Sequence, residues 1–251
     1  MALKAKIDWC DSTWNPVTGC FHNCEYCYAR KIAERFGGKC AGRWTFELGE
    51  PYIIDGKKQP YPFGFAPTFH RYKLDEPQKW KKPRTIFVCS MADLFGKWVP
   101  DEWIEEVFKA CEAAPQHRYL FLTKNPRRYY ELSAKGKLPL QHWYGTSITR
   151  VGDPEPFDDC EIHNTFVSYE PMLEPLPRGM YRHLVQQWVI FGAETGNRKG
   201  KVIPQKDWVE DIVLYCSQFG GTKFFMKESL RGMADELGND FRQEFPWESE
   251  R

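Results

Sequence analysis

Cys20, Cys24 and Cys27 place three thiols within the run Cys20-Phe21-His22-Asn23-Cys24-Glu25-Tyr26-Cys27, spaced C-x3-C-x2-C. Iron in iron–sulfur clusters is held by cysteine sulfur, so three closely spaced thiolates suit a [4Fe–4S] cluster. Such a cluster has four irons, and three ligands leave one iron open to a small molecule. An open iron makes a catalyst, where a fully ligated cluster only passes electrons. Zinc is the alternative occupant. A structural zinc takes four ligands, usually as two separated pairs, whereas this chain shows a triplet with no second pair. His22 sits between two of the thiols and could not join them without strain. Zinc therefore needs Cys10 or Cys40 as a fourth ligand, and either could also close a cluster.

The elements that must carry this loop follow a rhythm. Short apolar runs rich in β-branched and aromatic residues alternate with helical stretches. The runs are 85–89, 119–122, 143–148, 165–168, 188–191 and 223–226, and a weaker first strand lies around 7–14. Helices are expected from about Pro100 to Ala114, from Pro126 to Ala134 and from Gln205 to Phe219. Continuous apolar strands alternating with helices predict a parallel sheet covered on both faces. The number of units points to an α/β fold, a single-domain partial (β/α) TIM-type barrel over residues 1–251. A doubly wound open sheet is the alternative. The stretch at about 40–83, rich in Pro, Gly and aromatics, reads as an irregular insertion.

In such folds catalytic groups gather where the strands end. The run ends here carry Ser90 and Asp93, then Thr123 and Lys124, then Ser147 and Thr149, then Glu170, then Glu194, then Lys227. Each has a plain alternative as a cap or turn residue. As a set they would share a rim with the three thiols. Lys124, Arg127 and Arg128 form a basic cluster placed to meet an anionic substrate. The insertion's Lys79-Trp80-Lys81-Lys82 run reads more simply as a solvated turn with its lysine stems lying on the surface.

A net charge of +1 gives no global pull toward nucleic acid or membrane. The nine cysteines are an odd number, and no apolar leader precedes them. That argues for reduced or metal-bound thiols in a cytoplasm rather than a disulfide framework. No apolar run approaches the roughly 20 residues of a membrane span.

The thiol run resembles the signature of the radical S-adenosylmethionine superfamily, C-x3-C-x-aromatic-C, with Tyr26 in the aromatic place. Longer segments resemble the phage Gp37/Gp68-like family. They are Thr13-Trp14-Asn15-Pro16-Val17-Thr18-Gly19-Cys20, the stretch from Pro83 to Phe95, Phe121-Leu122-Thr123-Lys124-Asn125-Pro126, Tyr169-Glu170-Pro171-Met172 and the stretch from Trp188 to Gly196. The resemblance implies a radical-SAM-like partial barrel in which Cys20, Cys24 and Cys27 hold [4Fe–4S]. It implies S-adenosyl-L-methionine as second cofactor, chelated by the open iron, and reductive cleavage to a 5′-deoxyadenosyl radical that abstracts hydrogen. Among cofactor-binding candidates, Tyr26 would lie near the adenine, Asp93 near the methionyl amine, and Ser147 and Glu170 at the ribose. Ser90 belongs to the same group. Glu194 would meet ribose or substrate, and Asp93, Lys124 and Glu194 are the catalytic candidates. Thr149 stands where the family often has an acid. The implied partners are an electron donor of flavodoxin or ferredoxin type and a small-molecule or nucleic-acid-linked substrate. A phage-type modified nucleobase, such as a hypermodified thymidine being rearranged, is the suggested one. The competing function is a non-catalytic zinc- or cluster-binding protein that interacts with nucleic acid.

Overall fold

The computed structural model describes residues 7–39, 42–158, 164–233, 238 and 241–248. The chain forms two compact units, 1–142 and 143–251.

In the first unit the elements run β1 (Ser12–Trp14), β2 (Val17–Thr18), α1 (Tyr28–Gly37), β3 (Phe46–Leu48), β4 (Ile53–Ile54), β5 (Lys57–Lys58), β6 (Thr68–His70), β7 (Thr85–Val88), α2 (Asp101–Glu112), β8 (Arg118–Thr123) and α3 (Arg127–Ser133). Strand β7 lies between β1 and β8 and is parallel to both. All four of its residues are buried. This is why it reads as an unbroken apolar run rather than an alternating one. The crossover helix α2 begins after Pro100 with Asp101 and Glu102 in its first turn, where carboxylates complement the helix dipole. It buries Trp103, Ile104, Val107, Phe108 and Cys111, the stripe of a helix lying on a sheet.

The 40–83 stretch, irregular by sequence, carries four short strands among its described residues. β6 pairs with β2 antiparallel and with β3 parallel. β4 and β5 form a hairpin turned by Asp55 and Gly56 at φ 47° and 70°, the left-handed pair that a tight two-residue turn needs. Strands of two or three residues are too short to show periodicity.

The second unit runs β9 (Trp143–Ile148), β10 (Thr165–Tyr169), α4 (Arg178–Tyr181), β11 (Trp188–Phe191), α5 (Lys206–Ser217) and β12 (Lys223–Met226). Its four strands are parallel and neighbours in chain order. A Cβ on Gly145 would stand 2.3 Å from the Phe166 ring, so this glycine in β9 makes room for an aromatic side chain of β10. Val209, Ile212, Val213 and Cys216 of α5 pack into one core with Val189, Phe191, Phe224 and Met226. Parallel strands in sequence order with intervening helices make this the α/β, partial (β/α) TIM-type class expected. Among the described residues no helix is long and apolar enough to cross a membrane.

His142 gives the first unit an acid weakness. Its ring is buried against Phe108, Tyr119 and Phe121, and its Nε2 has no hydrogen-bond partner. Burial lowers its pKa from 6.5 to about 4. The unfolded chain takes up this proton below pH 6.5, whereas the folded chain refuses it until about pH 4. Stability is therefore complete above pH 6.5 and falls as pH drops through that window, by about 2 kcal/mol at pH 4.5. His142→Phe should remove this part of the acid loss. Urea unfolding at pH 7.5 and pH 4.5 measures it, and equal acid losses in both proteins would refute the assignment.

Candidate metal and cofactor site

The thiol loop leaves the end of β2 through Gly19, whose φ is +88°. A Cβ at this position would stand 2.2 Å from the Ala66 carbonyl oxygen. Only glycine passes this close to a backbone in this conformation. On the two sides of the crossing, Gly19 N–H donates to Met91 O at 2.9 Å and Cys20 N–H to Phe65 O at 3.2 Å. The insertion and the segment after β7 thus clamp the chain just where the first thiol begins. Within the loop Asn23 takes φ 59°, a left-handed conformation that asparagine tolerates better than most residues. At the far side Cys27 caps α1: its sulfur accepts from Arg30 N–H at 3.3 Å.

All three cysteines are free and half-buried. Burial pushes the Cys20 thiol up, the Asp93 charge adds to this, and the His22 N–H donated to its sulfur at 3.4 Å acts against it. Cys24 and Cys27 push the Cys20 thiol in the same direction, as smaller causes than burial and Asp93. Burial likewise raises Cys27, and the Arg30 N–H opposes it. Cys20 and Cys27 therefore keep their protons in the metal-free protein, and a bound metal would displace them. Among the described residues no three His, Cys, Asp or Glu are grouped to hold a single ion. A four-iron cluster does not need that grouping, since each thiolate takes its own iron. Beside the loop, Arg30 Nε and Trp98 Nε1 are buried donors with no acceptor. Trp98 packs edge-on to Phe21 and His22, and Arg30 donates weakly to Cys20 O at 3.4 Å. Donor chemistry, sulfur-directed N–H groups and orphaned donors together fit an acceptor-rich cluster with its ligand.

Of the two fourth-ligand candidates, Cys10 lies before β1, at the opposite end of that strand from the thiol loop. There its thiol contacts Ile7 O at 3.8 Å. Cys40 lies outside the described residues.

Asp93 ties the loop to the strands. Its Oδ2 accepts from His22 Nε2 at 2.7 Å and from Lys124 N–H at 3.0 Å. Its Oδ1 accepts from Thr123 Oγ1 at 2.7 Å and from Phe95 N–H at 3.0 Å. A carboxylate can only accept, so His22 Nε2 carries the proton here. Burial alone would raise the Asp93 pKa, but the His22 partner and the other donors outweigh it and hold it below the usual carboxylate range. His22 thus commits its ring nitrogen to Asp93 and anchors the loop to a residue 71 positions away in sequence. Sequence reasoning missed that role, and nothing local announces it.

The same edge of the first unit gathers the other candidates. Ser90 donates its hydroxyl to Asn15 Oδ1 at 3.2 Å, and its carbonyl accepts from Tyr28 OH at 2.7 Å. The Lys124 ammonium stands over the Tyr26 ring at 5.5 Å. Of the basic cluster, Arg128 is committed elsewhere, to Asp101 at 2.6 Å and Val99 O at 2.9 Å. The insertion's Trp80 stacks under Arg84 at 4.7 Å and faces His117 edge-on at 6.0 Å.

In the second unit the candidates sit at or after the ends of β9, β10 and β11. Ser147 is buried within β9. Thr149 donates N–H and hydroxyl to Asp153 Oδ2 at 2.6 and 2.8 Å, so an acid reaches this place from four residues on. Glu170 pairs with Lys227. Gly192 leaves room for that pair, since a Cβ there would meet Glu170 Cγ at 2.9 Å and Lys227 Cδ at 3.1 Å. Glu194, almost fully buried, receives Arg198 Nε and Nη2 at 2.6 and 2.7 Å, a two-pronged pair. Sequence reasoning passed over Arg198. Its spacing of four residues from Glu194 was the available signal.

These features define an α/β protein with a candidate three-thiol metal loop at the C-terminal edge of a parallel sheet. The chain belongs to the DUF5131 family, described as "Protein of unknown function", whose pattern matches residues 4–236. Among solved structures the chain is similar to spore photoproduct lyase complexed with dinucleoside spore photoproduct, with TM-score 0.48, 12% identity, 84% of this chain covered and 75% of that one. It is also similar to a spore photoproduct lyase variant with bound AdoMet and dinucleoside spore photoproduct, with TM-score 0.44, 11% identity, and 98% and 65% covered. No curated protein matches the sequence.

Proposed function

We propose that this chain is a radical S-adenosylmethionine enzyme of the kind the phage Gp37/Gp68-like resemblance suggests. The observation that carries the reading is the half-buried C-x3-C-x2-C loop, with backbone N–H groups aimed at two of its sulfurs. Cys20, Cys24 and Cys27 would hold a [4Fe–4S] cluster and leave one iron for the methionyl group of the cofactor. When bound, cluster and cofactor supply a 5′-deoxyadenosyl radical that takes hydrogen from a substrate.

The protein's own part is binding, orientation and exclusion of water. Tyr26 offers an aromatic face for the adenine, with the Lys124 ammonium already over its ring. Ser90 and Asp93 follow β7. Asp93 has both oxygens engaged, so we assign its effect on the cofactor to holding the loop through His22. In the second unit, Ser147, Glu170 and Glu194 keep their proposed ribose and substrate roles. Lys227 and Arg198 pair with the two carboxylates and fix their orientation. The substrate we assign is a nucleobase, free or carried on nucleic acid, undergoing an isomerase- or transferase-type modification. Lys124 at the end of β8 supports an anionic substrate.

The test is anaerobic reconstitution with iron and sulfide, reduction, and addition of S-adenosylmethionine. The expected results are a brown protein, a reduced-cluster spectrum that changes when the cofactor binds, and formation of 5′-deoxyadenosine. A colourless protein that takes up one zinc and unfolds on chelation would replace the enzyme with the metal-binding nucleic-acid protein.

A further inference from the structure

Helix α1 begins at a candidate ligand, Cys27, and shows two different sides. Its inner side buries Ala29 and Ala33 in a small cluster with Phe65 and Met91, against which Cys20 and Cys27 pack. Its outer side exposes Tyr28, Ile32 and Phe36 to 49%, 39% and 59%. These positions are four apart, so they form one stripe along the helix. Lys31 and Arg35, both exposed, run beside them at the same spacing, and the exposed Lys39 follows the helix after Gly38. The acid of this helix, Glu34, is half-buried and faces Arg30 at 3.9 Å. The nearest exposed acid in sequence is Glu25, in the thiol loop before the helix.

An apolar stripe bordered by two cations on the same helix is an unusual thing to leave in water. Its position explains it. The helix that carries it begins at Cys27, and Cys20 and Cys27 pack against the cluster that Ala29 and Ala33 of the same helix join. We propose that the outer face of α1 is the docking surface for an acidic one-electron carrier of flavodoxin or ferredoxin type. The proposal rests on the cluster reading above. One electron leaves the carrier, which is oxidised, and enters the cluster held by the three cysteines, which is reduced. No bond forms or breaks, and no proton need move. The apolar stripe supplies contact area, and the cations supply attraction and orientation toward a negative partner. Charge complementarity and continuity with the thiol loop favour this partner over other occupants of the face.

The experiment pairs direct binding with turnover. Oxidised flavodoxin, and separately a [2Fe–2S] ferredoxin, are titrated by calorimetry into the reconstituted protein at low and high salt. The variants are Lys31→Glu with Arg35→Glu, Phe36→Ser alone, and the control Lys57→Glu with Lys58→Glu on the β4–β5 hairpin. The α1 variants should keep the wild-type melting temperature and bind the carrier at least tenfold more weakly, with the salt dependence lost in the charge-reversed pair. The hairpin control should bind as wild type. With a chemical reductant, all should form 5′-deoxyadenosine at the wild-type rate. With reduced flavodoxin, the α1 variants should fall by the same factor as their binding. Unchanged binding by the charge-reversed pair overturns the proposal. So does equal weakening in the hairpin control, or α1-dependent binding of duplex DNA with none of flavodoxin. If α1-dependent binding holds while wild type yields no deoxyadenosine with the chemical reductant, the docking face stands and the enzyme reading falls.

Discussion

Cys24→Ala should give a protein that folds like wild type, stays colourless after reconstitution, and forms 5′-deoxyadenosine only at background. The argument lies in what the three thiols do without metal. Cys27 caps α1 through Arg30 N–H, and Cys20 accepts the His22 N–H. The Cys24 sulfur makes no such hydrogen bond, although it adds to the repulsion at both of the others. Removing it therefore costs the metal-free protein little. A cluster, by contrast, loses one of only three protein ligands. The melting temperature before reconstitution should therefore match wild type, while iron content, visible absorbance and turnover collapse together. Cys27→Ala should differ by also lowering the melting temperature, since loss of a helix cap costs about 1 kcal/mol. Iron–sulfur absorbance and turnover that survive Cys24→Ala would remove the trio from the mechanism.

Gly19→Ala should be the most damaging small substitution in the first unit. Two costs add. A non-glycine residue at φ +88° is strained, and the new methyl would lie 2.2 Å from Ala66 O, 2.4 Å from Ala66 C and 2.7 Å from Pro67 N. These are backbone atoms, which cannot swing aside as a side chain could. Together the effects cost about 3 kcal/mol or more. For a chain of this length that lowers the melting temperature by roughly 6–12 °C. Relief would come by moving the strand end, which carries Cys20 directly, so cluster uptake should fall as well. Gly38→Ala is the matched control. Gly38 also has positive φ, +72°, but nothing lies within 4 Å of a Cβ placed there. Its ψ of −172° places it in a region that glycine alone adopts readily, so it should show the conformational penalty alone, about 1–3 kcal/mol, and bind the cluster normally. Should the two variants melt together, the tight crossing at Gly19 is not what fixes the loop.

What could be read in advance follows a physical pattern. β9, β11 and β12 have the bounds expected of them, and β7, β8 and β10 differ by one or two residues at their ends. A strand buried on both faces must be apolar throughout, and that is visible in any sequence. α2, α3 and α5 were legible from the proline or polar residue that opens each and from their spaced apolar positions. The strands of the insertion were not, because two or three residues carry no period.

The chemistry divides in the same way. The thiol trio was legible in the amino-acid sequence alone, because the ligands proposed for one cluster stand at neighbouring positions, and local spacing records that. It also placed polar groups at the strand ends, since chain order sets where each strand stops. Only the tertiary structure decided which of those groups meet. Asp93 with His22, Glu170 with Lys227, the Gly19 crossing over Ala66, and Cys10 at the far end of β1 depend on the pairing of segments distant in the chain. Hydrogen bonds between such segments need both partners at a few ångströms, and that separation is set by sheet register and loop packing, which no local residue pattern encodes.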